Sequence, residues 1–307
     1  MTMNLYPEDS FGNQESGETI PVRTKLHNGT SLGYVNLTVS DLNRSMEFYQ
    51  RVIGFQVDEI SEEQASLGVA GRRMLVLSEL PGAVKVPYRS GLYHFAILTP
   101  SRRALGGSLR NLIDTGTEIQ GGADHLVSEA LYLADPDGNG IEIYRDRPKN
   151  EWQYENGKLL MSTDPLDYQG ILASTNGTNS TWLGLEKGTR LGHIHLHVAH
   201  LDQAADFYEQ VLGFDFVMEY MDSAAFLSTG GYHHHVGINT WNGVGAAANP
   251  PDAVGLRYFT INLANQSELQ LIVARLQAAG YAYEQKETGL FLRDPSGNGI
   301  MVGYGIS

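Results

Sequence analysis

The sequence predicts an α+β fold built from four βαβββ modules, and three observations predict it. The first is an internal repeat: GYVNLTVSDLNRSMEFYQRVIGF at 33–55 is answered by GHIHLHVAHLDQAADFYEQVLGF at 192–214. Gly33, Leu37, Val39, Leu42, Phe48, Tyr49, Val52, Gly54 and Phe55 recur at a separation of 159 residues (192 minus 33), which marks a duplicated unit. The second is a turn met twice at the same separation, Asp135-Pro136-Asp137-Gly138-Asn139-Gly140 and Asp294-Pro295-Ser296-Gly297-Asn298-Gly299. Proline presets φ and glycine or asparagine accepts positive φ, so both read as hairpin turns. The third is that each half divides again, since a strand followed by a helical stripe opens every quarter.

Taken in order, residues 1–31 carry no sustained periodicity and are expected to form a tail. Module one, 32–80, places Leu42, Met46, Tyr49 and Ile53 on one helix face. Module two, 91–147, opens with the strand GLYHFAIL and carries Leu105, Leu109 and Leu112 on its helix. Residues 148–188, rich in Gly, Ser, Thr and Asn, form a linker whose Trp152, Tyr154, Tyr168 and Trp182 predict packing on the surface. Module three, 190–241, repeats module one with Leu201, Ala205, Tyr208 and Leu212. Module four, 255–305, opens with GLRYFTINL and puts Leu269, Ile272, Leu276 and Ala279 on its helix, with Gly280 as the stop. After each helix, short alternating runs separated by Gly, Asp or Asn predict three further strands. The repeat divides the chain into domains at 32–147 and 189–307.

A length of 307 residues matches two domains at about 150 residues each. The formal net charge of −14 argues against nucleic acid or an anionic membrane as partner and favours small molecules. There is no cysteine, which excludes disulfides, zinc–thiolate sites, iron–sulfur clusters and thiol nucleophiles. Any metal is held by nitrogen and oxygen. The acidic first residues do not form a secretory signal, and no run of about 18 apolar residues would span a bilayer. A cytoplasmic protein is the expectation.

The run Gly192-His193-Ile194-His195-Leu196-His197-Val198 is the most unusual stretch. On a strand, alternation points His193, His195 and His197 to one face. Three imidazoles facing one way suit a metal or an acid/base cavity, and they equally suit a hydrated edge. The run alone leaves both readings open.

Four modules bearing GLYHFAIL (91–98), SEALYLADPDGNGIEIYRDRP (128–148), GHIHLHV (192–198) and GGYHHHVGINTWNG (230–243) resemble the vicinal-oxygen-chelate superfamily, and within it the extradiol ring-cleaving dioxygenases. The resemblance covers residues 32–305 and implies two incomplete eight-stranded barrels. It also implies that metal ligands lie on the first and last strands of two modules sharing a barrel. The matching positions are Tyr34, His94, His193 and Tyr258 on first strands, and Glu142 and Met301 on last strands. Of these His94, Glu142 and His193 make the two-histidine, one-carboxylate set associated with non-haem Fe2+ oxygenases. The same set would accept Mn2+, Zn2+, Co2+ or Ni2+. Modules two and three would then supply the site together, with modules one and four as a ligand-free partner barrel. The site could close within one chain or between copies in a homo-oligomer.

The run His233-His234-His235-Val236-Gly237 is expected on a late strand of module three, where His234 faces opposite to His233 and His235, and the resemblance further implies on that strand an acid/base histidine three residues before a small residue. His234 precedes Gly237 by that spacing, with His235 as its rival. Tyr132, ten residues before Glu142, matches a tyrosine that hydrogen-bonds a substrate oxygen or a reaction intermediate. His125 resembles another pocket histidine, although its spacing to Tyr132 is two residues short of the expected pattern. His195 would approach O2 or orient a ligand. The implied reaction opens a catechol-like aromatic diol beside its hydroxyls with O2. Two rivals stand beside it: a glyoxalase-type isomerase, which employs a fourth protein ligand, and a non-enzymatic protein that sequesters an aromatic compound and needs no metal.

Overall fold

Asp41 opens the first helix among the described residues, and side-chain caps recur at Ser101, Asp167 and Asn265 but not at His200, the counterpart of Asp41 in the second half. Strand β1 (Ser31–Val39) delivers the chain to Asp41, whose carboxylate accepts from the Arg44 N–H at 2.9 Å and caps α1 (Leu42–Phe48). A π-helical turn, Tyr49–Ile53, continues α1 until Gly54 stops it at φ +94°, a conformation costly for any residue with a Cβ. Strands β2 (Gln56–Ile60), β3 (Gln64–Val69) and β4 (Arg72–Glu79) follow, antiparallel in sequence. Strand β4 returns parallel to β1, with Leu75 opposite Val35. Module two repeats this as β5 (Gly91–Leu98), α2 (Arg102–Asp114), β6 (Gly121–Asp124), β7 (Ser128–Ala134) and β8 (Gly140–Asp146).

The linker contributes a small hairpin, β9 (Tyr154–Glu155) and β10 (Lys158–Leu159), then β11 (Asp164–Pro165) and α3 (Tyr168–Ala173). Module three comprises β12 (Arg190–His197), α4 (Leu201–Asp206) with a π-helical turn to Leu212, β13 (Asp215–Tyr220), β14 (Ala224–Ser228) and β15 (Val236–Asn239). Module four comprises β16 (Gly255–Leu263), α5 (Gln266–Ala278), β17 (Tyr283–Lys286), β18 (Gly289–Arg293) and β19 (Gly299–Tyr304).

This computed structural model describes residues 25–175 and 182–306. Of the tail expected over 1–31, residues 1–24 lie outside the described residues. Leu26 is buried; its N–H donates to Gly213 and its carbonyl accepts from the Thr229 hydroxyl, so 25–30 pack on module three. Trp152 is buried and donates its indole N–H to the Arg147 carbonyl, and Tyr168 and Trp182 pack against the core, whereas Tyr154 is exposed. Among the described residues no helix is long and apolar enough to cross a membrane.

The strands form two curled sheets, each an incomplete barrel. One runs β17-β18-β19-β16-β1-β4-β3-β2 and joins module four to module one. The other runs β11-β6-β7-β8-β5-β12-β15-β14-β13 and joins module two to module three. Each sheet therefore takes one module from each repeat half. The second carries a ninth strand, β11, because the linker lies back on its edge and Asp164 pairs with Asp124. The seams are antiparallel, Val35 opposite Phe259 and Phe95 opposite Ile194.

Alternation sorts the side chains. Phe95 and Ile97 of β5, Ile141 and Ile143 of β8, and Ile194, Leu196 and Val198 of β12 and its end enter the large apolar core shared with the helices. Each such burial stabilises the fold by about 1.5–3 kcal/mol. His94, Ala96, Glu142, Tyr144, His193 and His195 are consequently turned to the opposite face. The two Asp-Pro turns are hairpin turns, as their composition predicts, and each is also a tie-point. Tyr49 donates to Asp135 at 2.8 Å and Tyr208 to Asp294 at 3.1 Å, at equivalent places in the two halves.

Candidate active site

Ala96 sits at the centre of the site. On one side it pairs in register with Glu142 of β8, on the other with His193 of β12. His94 lies two residues earlier on the same face of β5. A methyl side chain at 96 leaves the space over which the longer side chains converge. The Nε2 atoms of His94 and His193 each lie 3.0 Å from the same Glu142 oxygen, Oε2, and all three residues are buried. One ligand atom from each falls within 4.8 Å of the others.

The charge state of this cluster follows from its burial and its contacts. His193 Nε2 has hydrogen-bond geometry to the carboxylate, but His94 Nε2 at the same distance does not and has no partner. An orphaned buried nitrogen normally costs about 1–3 kcal/mol. Burial pushes the His193 imidazole down to about 4 despite the adjacent Glu142, so the ring is uncharged at neutral pH. Burial alone would raise the Glu142 carboxyl, yet His193 and His94 against it hold it well below the ordinary carboxylate range. A neutral His193, an unpartnered His94 nitrogen and an ionised carboxylate, brought this close together, are a donor set that a divalent ion accepts.

His195 follows on the same face of β12 with its Nε2 unpartnered, and burial keeps it neutral. Its ring fits because residue 237 is glycine: a Cβ there would lie 2.9 Å from the His195 Cγ. Tyr132 faces the cluster from β7, in register with Glu142. His125 Nδ1 lies 2.6 Å from the Ser162 carbonyl oxygen, which only accepts, so Nδ1–H donates. Its Nε2 lies 2.7 Å from the Tyr132 hydroxyl oxygen. Burial, with Glu142 nearby, raises the Tyr132 phenol well above its usual value.

The expectation that His233, His234 and His235 lie on a strand is corrected by the structure. They occupy a bend ahead of β15, after two left-handed glycines, Gly230 at φ +63° and Gly231 at φ +65°. The bend nevertheless separates the three rings. His234 lines the cavity, its ring centroid 4.1 Å from that of His193. His235 faces away from it and meets Ser228 Oγ at 3.0 Å, beside a separate surface pocket. His233 lies between them, fully buried.

The cavity has a volume of about 220 Å³ and brings His94, Glu142, His193, His195, His234, Tyr132 and His125 together. Tyr93, Met161, Met218, Phe226 and Trp241 are among its other lining residues. Sequence reasoning missed these five because they come from five separate segments: β5, the linker, β13, β14 and the turn after β15. Alternation in β13 would have placed Met218 and Tyr220 on one face; nothing in the linker sequence marks Met161. Tyr34, Tyr258 and Met301 occupy the matching face of the other sheet, where the two phenol oxygens lie 3.4 Å apart.

The chain is 48% identical over 277 residues to the catechol-2,3-dioxygenase of Bacillus subtilis (strain 168), spanning 89% of this chain and 96% of that relative. Two solved structures share the fold at low identity. A protein from Bacillus subtilis subsp. subtilis str. 168 aligns at TM-score 0.62 and 14% identity, covering 92% of this chain and 87% of its own. Glyoxalase I from Zea mays aligns at TM-score 0.57 and 15% identity, covering 90% and 92%. The family model described as Glyoxalase/Bleomycin resistance protein/Dioxygenase superfamily matches residues 31–143 and 190–302, and the chain belongs to that superfamily.

Proposed function

We propose that this protein is an extradiol ring-cleaving dioxygenase that opens a catechol-like diol with O2, using Fe2+ held by His94, Glu142 and His193. The observation that carries the reading is the convergence of those three side chains on one point in a chain 48% identical to a catechol-2,3-dioxygenase. When bound, the ion supplies Lewis acidity and the redox chemistry by which a diol and O2 react, with coordination positions left over for both. Three ligands support this reading over the isomerase, for which a fourth was expected: among the described residues the cluster has three members.

The chain's own residues do the rest. Tyr93, Phe226 and Trp241 form an aromatic wall that receives the ring and excludes water. Among the described residues no lysine or arginine lines the cavity, which favours a ring with neutral substituents over a carboxylated one. Burial keeps His234 neutral, and it takes and returns the hydroxyl proton of the diol, a role worth about 10²–10⁴ in rate. Tyr132, held by His125, presents its phenol oxygen beside Glu142 to a substrate hydroxyl. His195 borders the space that O2 would enter.

The test is anaerobic reconstitution with Fe2+, followed by catechol and O2, with oxygen uptake and the yellow ring-opened semialdehyde recorded together. Product in step with oxygen consumption supports the assignment. No uptake with one bound iron per chain, across catechol and its alkyl-substituted forms, overturns it.

A further inference from the structure

Behind His234 lies a chain of hydrogen bonds that the proposed reaction has not used. His234 Nδ1 is 2.8 Å from His233 Nδ1, and His233 Nε2 is 2.9 Å from Asp146 Oδ1. Tyr232 also donates to Asp146 Oδ1, at 3.1 Å, and its oxygen lies 2.7 Å from the Tyr144 hydroxyl. Asp146 closes strand β8, four residues beyond Glu142 (146 minus 142), and its side chain is one quarter exposed on the surface pocket behind the cavity.

The direction of the bonds at Asp146 follows from its carboxylate. A carboxylate only accepts. His233 therefore donates from Nε2, and Tyr232 donates its O–H and receives that of Tyr144. With that single proton on the His233 ring, Nδ1 is a lone pair and accepts from His234 Nδ1–H. One nitrogen of His234 is left: Nε2, unprotonated and, among the described residues, without a protein partner. His233 cannot turn away, since it is fully buried with Tyr232 at 4.0 Å, Trp152 at 5.6 Å and Tyr144 at 6.2 Å between ring centroids.

We infer that Asp146, acting through His233, fixes the tautomer of His234 so that the Nε2 lone pair is the one offered to the cavity. Asp146 and His233 are thus positioning residues. The inference rests on reading His234 as the group that faces the reacting hydroxyl, and its test is independent of turnover.

The test is a long-range proton–nitrogen correlation spectrum of the full-length chain, labelled with ¹⁵N-histidine and loaded with diamagnetic Zn2+. The expected result is His234 protonated on Nδ1 and bare on Nε2. Asp146→Ala should release His233 and shift His234 toward the opposite tautomer, and Asp146→Asn, whose amide oxygen still accepts, should restore the native spectrum. With Fe2+, Asp146→Ala should lower kcat roughly 10–100-fold at unchanged KM and iron content. A native His234 that carries its proton on Nε2, or an Asp146→Ala spectrum identical to the native one, overturns the inference. If Asp146→Ala does not fold, the native spectrum decides alone. Absence of ring cleavage beside the expected tautomer would count against the dioxygenase reading and leave this one standing.

Discussion

Ala96 and Gly237 do by absence what the ligands do by presence. Without a long side chain at 96, Glu142 and His193 reach one point across it. At this scale the roles separate cleanly. Replacing His94, Glu142 or His193 by Ala should reduce bound iron, read by elemental analysis, by more than the roughly 10–100-fold that loss of an outer partner costs. His234→Ala should keep its iron and lose about 10²–10⁴ in kcat. Full activity in any ligand variant would remove that residue from the site. The three candidate ligands were legible in the sequence because the resemblance points to the first and last strands of the modules, and His94, Glu142 and His193 stand on such strands. Asp146 and His233 were not, since their importance lies in hydrogen bonds between residues 87 apart.

At the scale of the element, β15 and the two Asp-Pro turns carry the consequences. Gly237→Ala would set a Cβ 2.9 Å from His195; we expect a loss of about 1–3 kcal/mol in urea unfolding and a displaced His195 ring. Asp294 accepts from the Ser296 and Asn298 N–H groups, the Asn298 amide and Tyr208. Asp294→Asn forces an amide hydrogen against one of these donors, so stability should fall by roughly 1–3 kcal/mol with the metal site untouched. Unchanged unfolding would show that the turn composition alone suffices. Here the sequence reading was good for strands and helices and poorer for the 229–235 bend. Two successive glycines in the left-handed region break the strand period, and composition does not say where a glycine will use that freedom. Strand β11 escaped notice because two residues of linker carry no periodicity of their own.

At the scale of the molecule, the four modules close into a ring of contacts. Sheets join two to three and four to one, while Tyr49–Asp135 and Tyr208–Asp294 tie one to two and three to four. The repeat made four modules legible, and the resemblance, through the positions of His94, Glu142 and His193, paired two with three and one with four, as the sheets do. A metal at the candidate site would clasp β5, β8 and β12 across the seam between halves. It should therefore raise the melting temperature: a ligand at a hundred times its Kd stabilises by about 2.7 kcal/mol, or roughly 4 °C for a chain of this size. Glu142→Ala should abolish the shift. An equal shift in that variant would place the ion elsewhere.

The seam between β5 and β12 has one more consequence. If the chain is divided in the linker after Thr175, the first fragment holds His94 and Glu142, and the second holds His193 and His234. Neither fragment retains a whole sheet, and neither alone owns a complete cation site. Co-refolded, the two pieces should recover iron binding in a manner that depends on the concentration of both, as a bimolecular complementation does. The molecule would then be a duplicated gene product whose halves became indispensable to each other by sharing one centre between them.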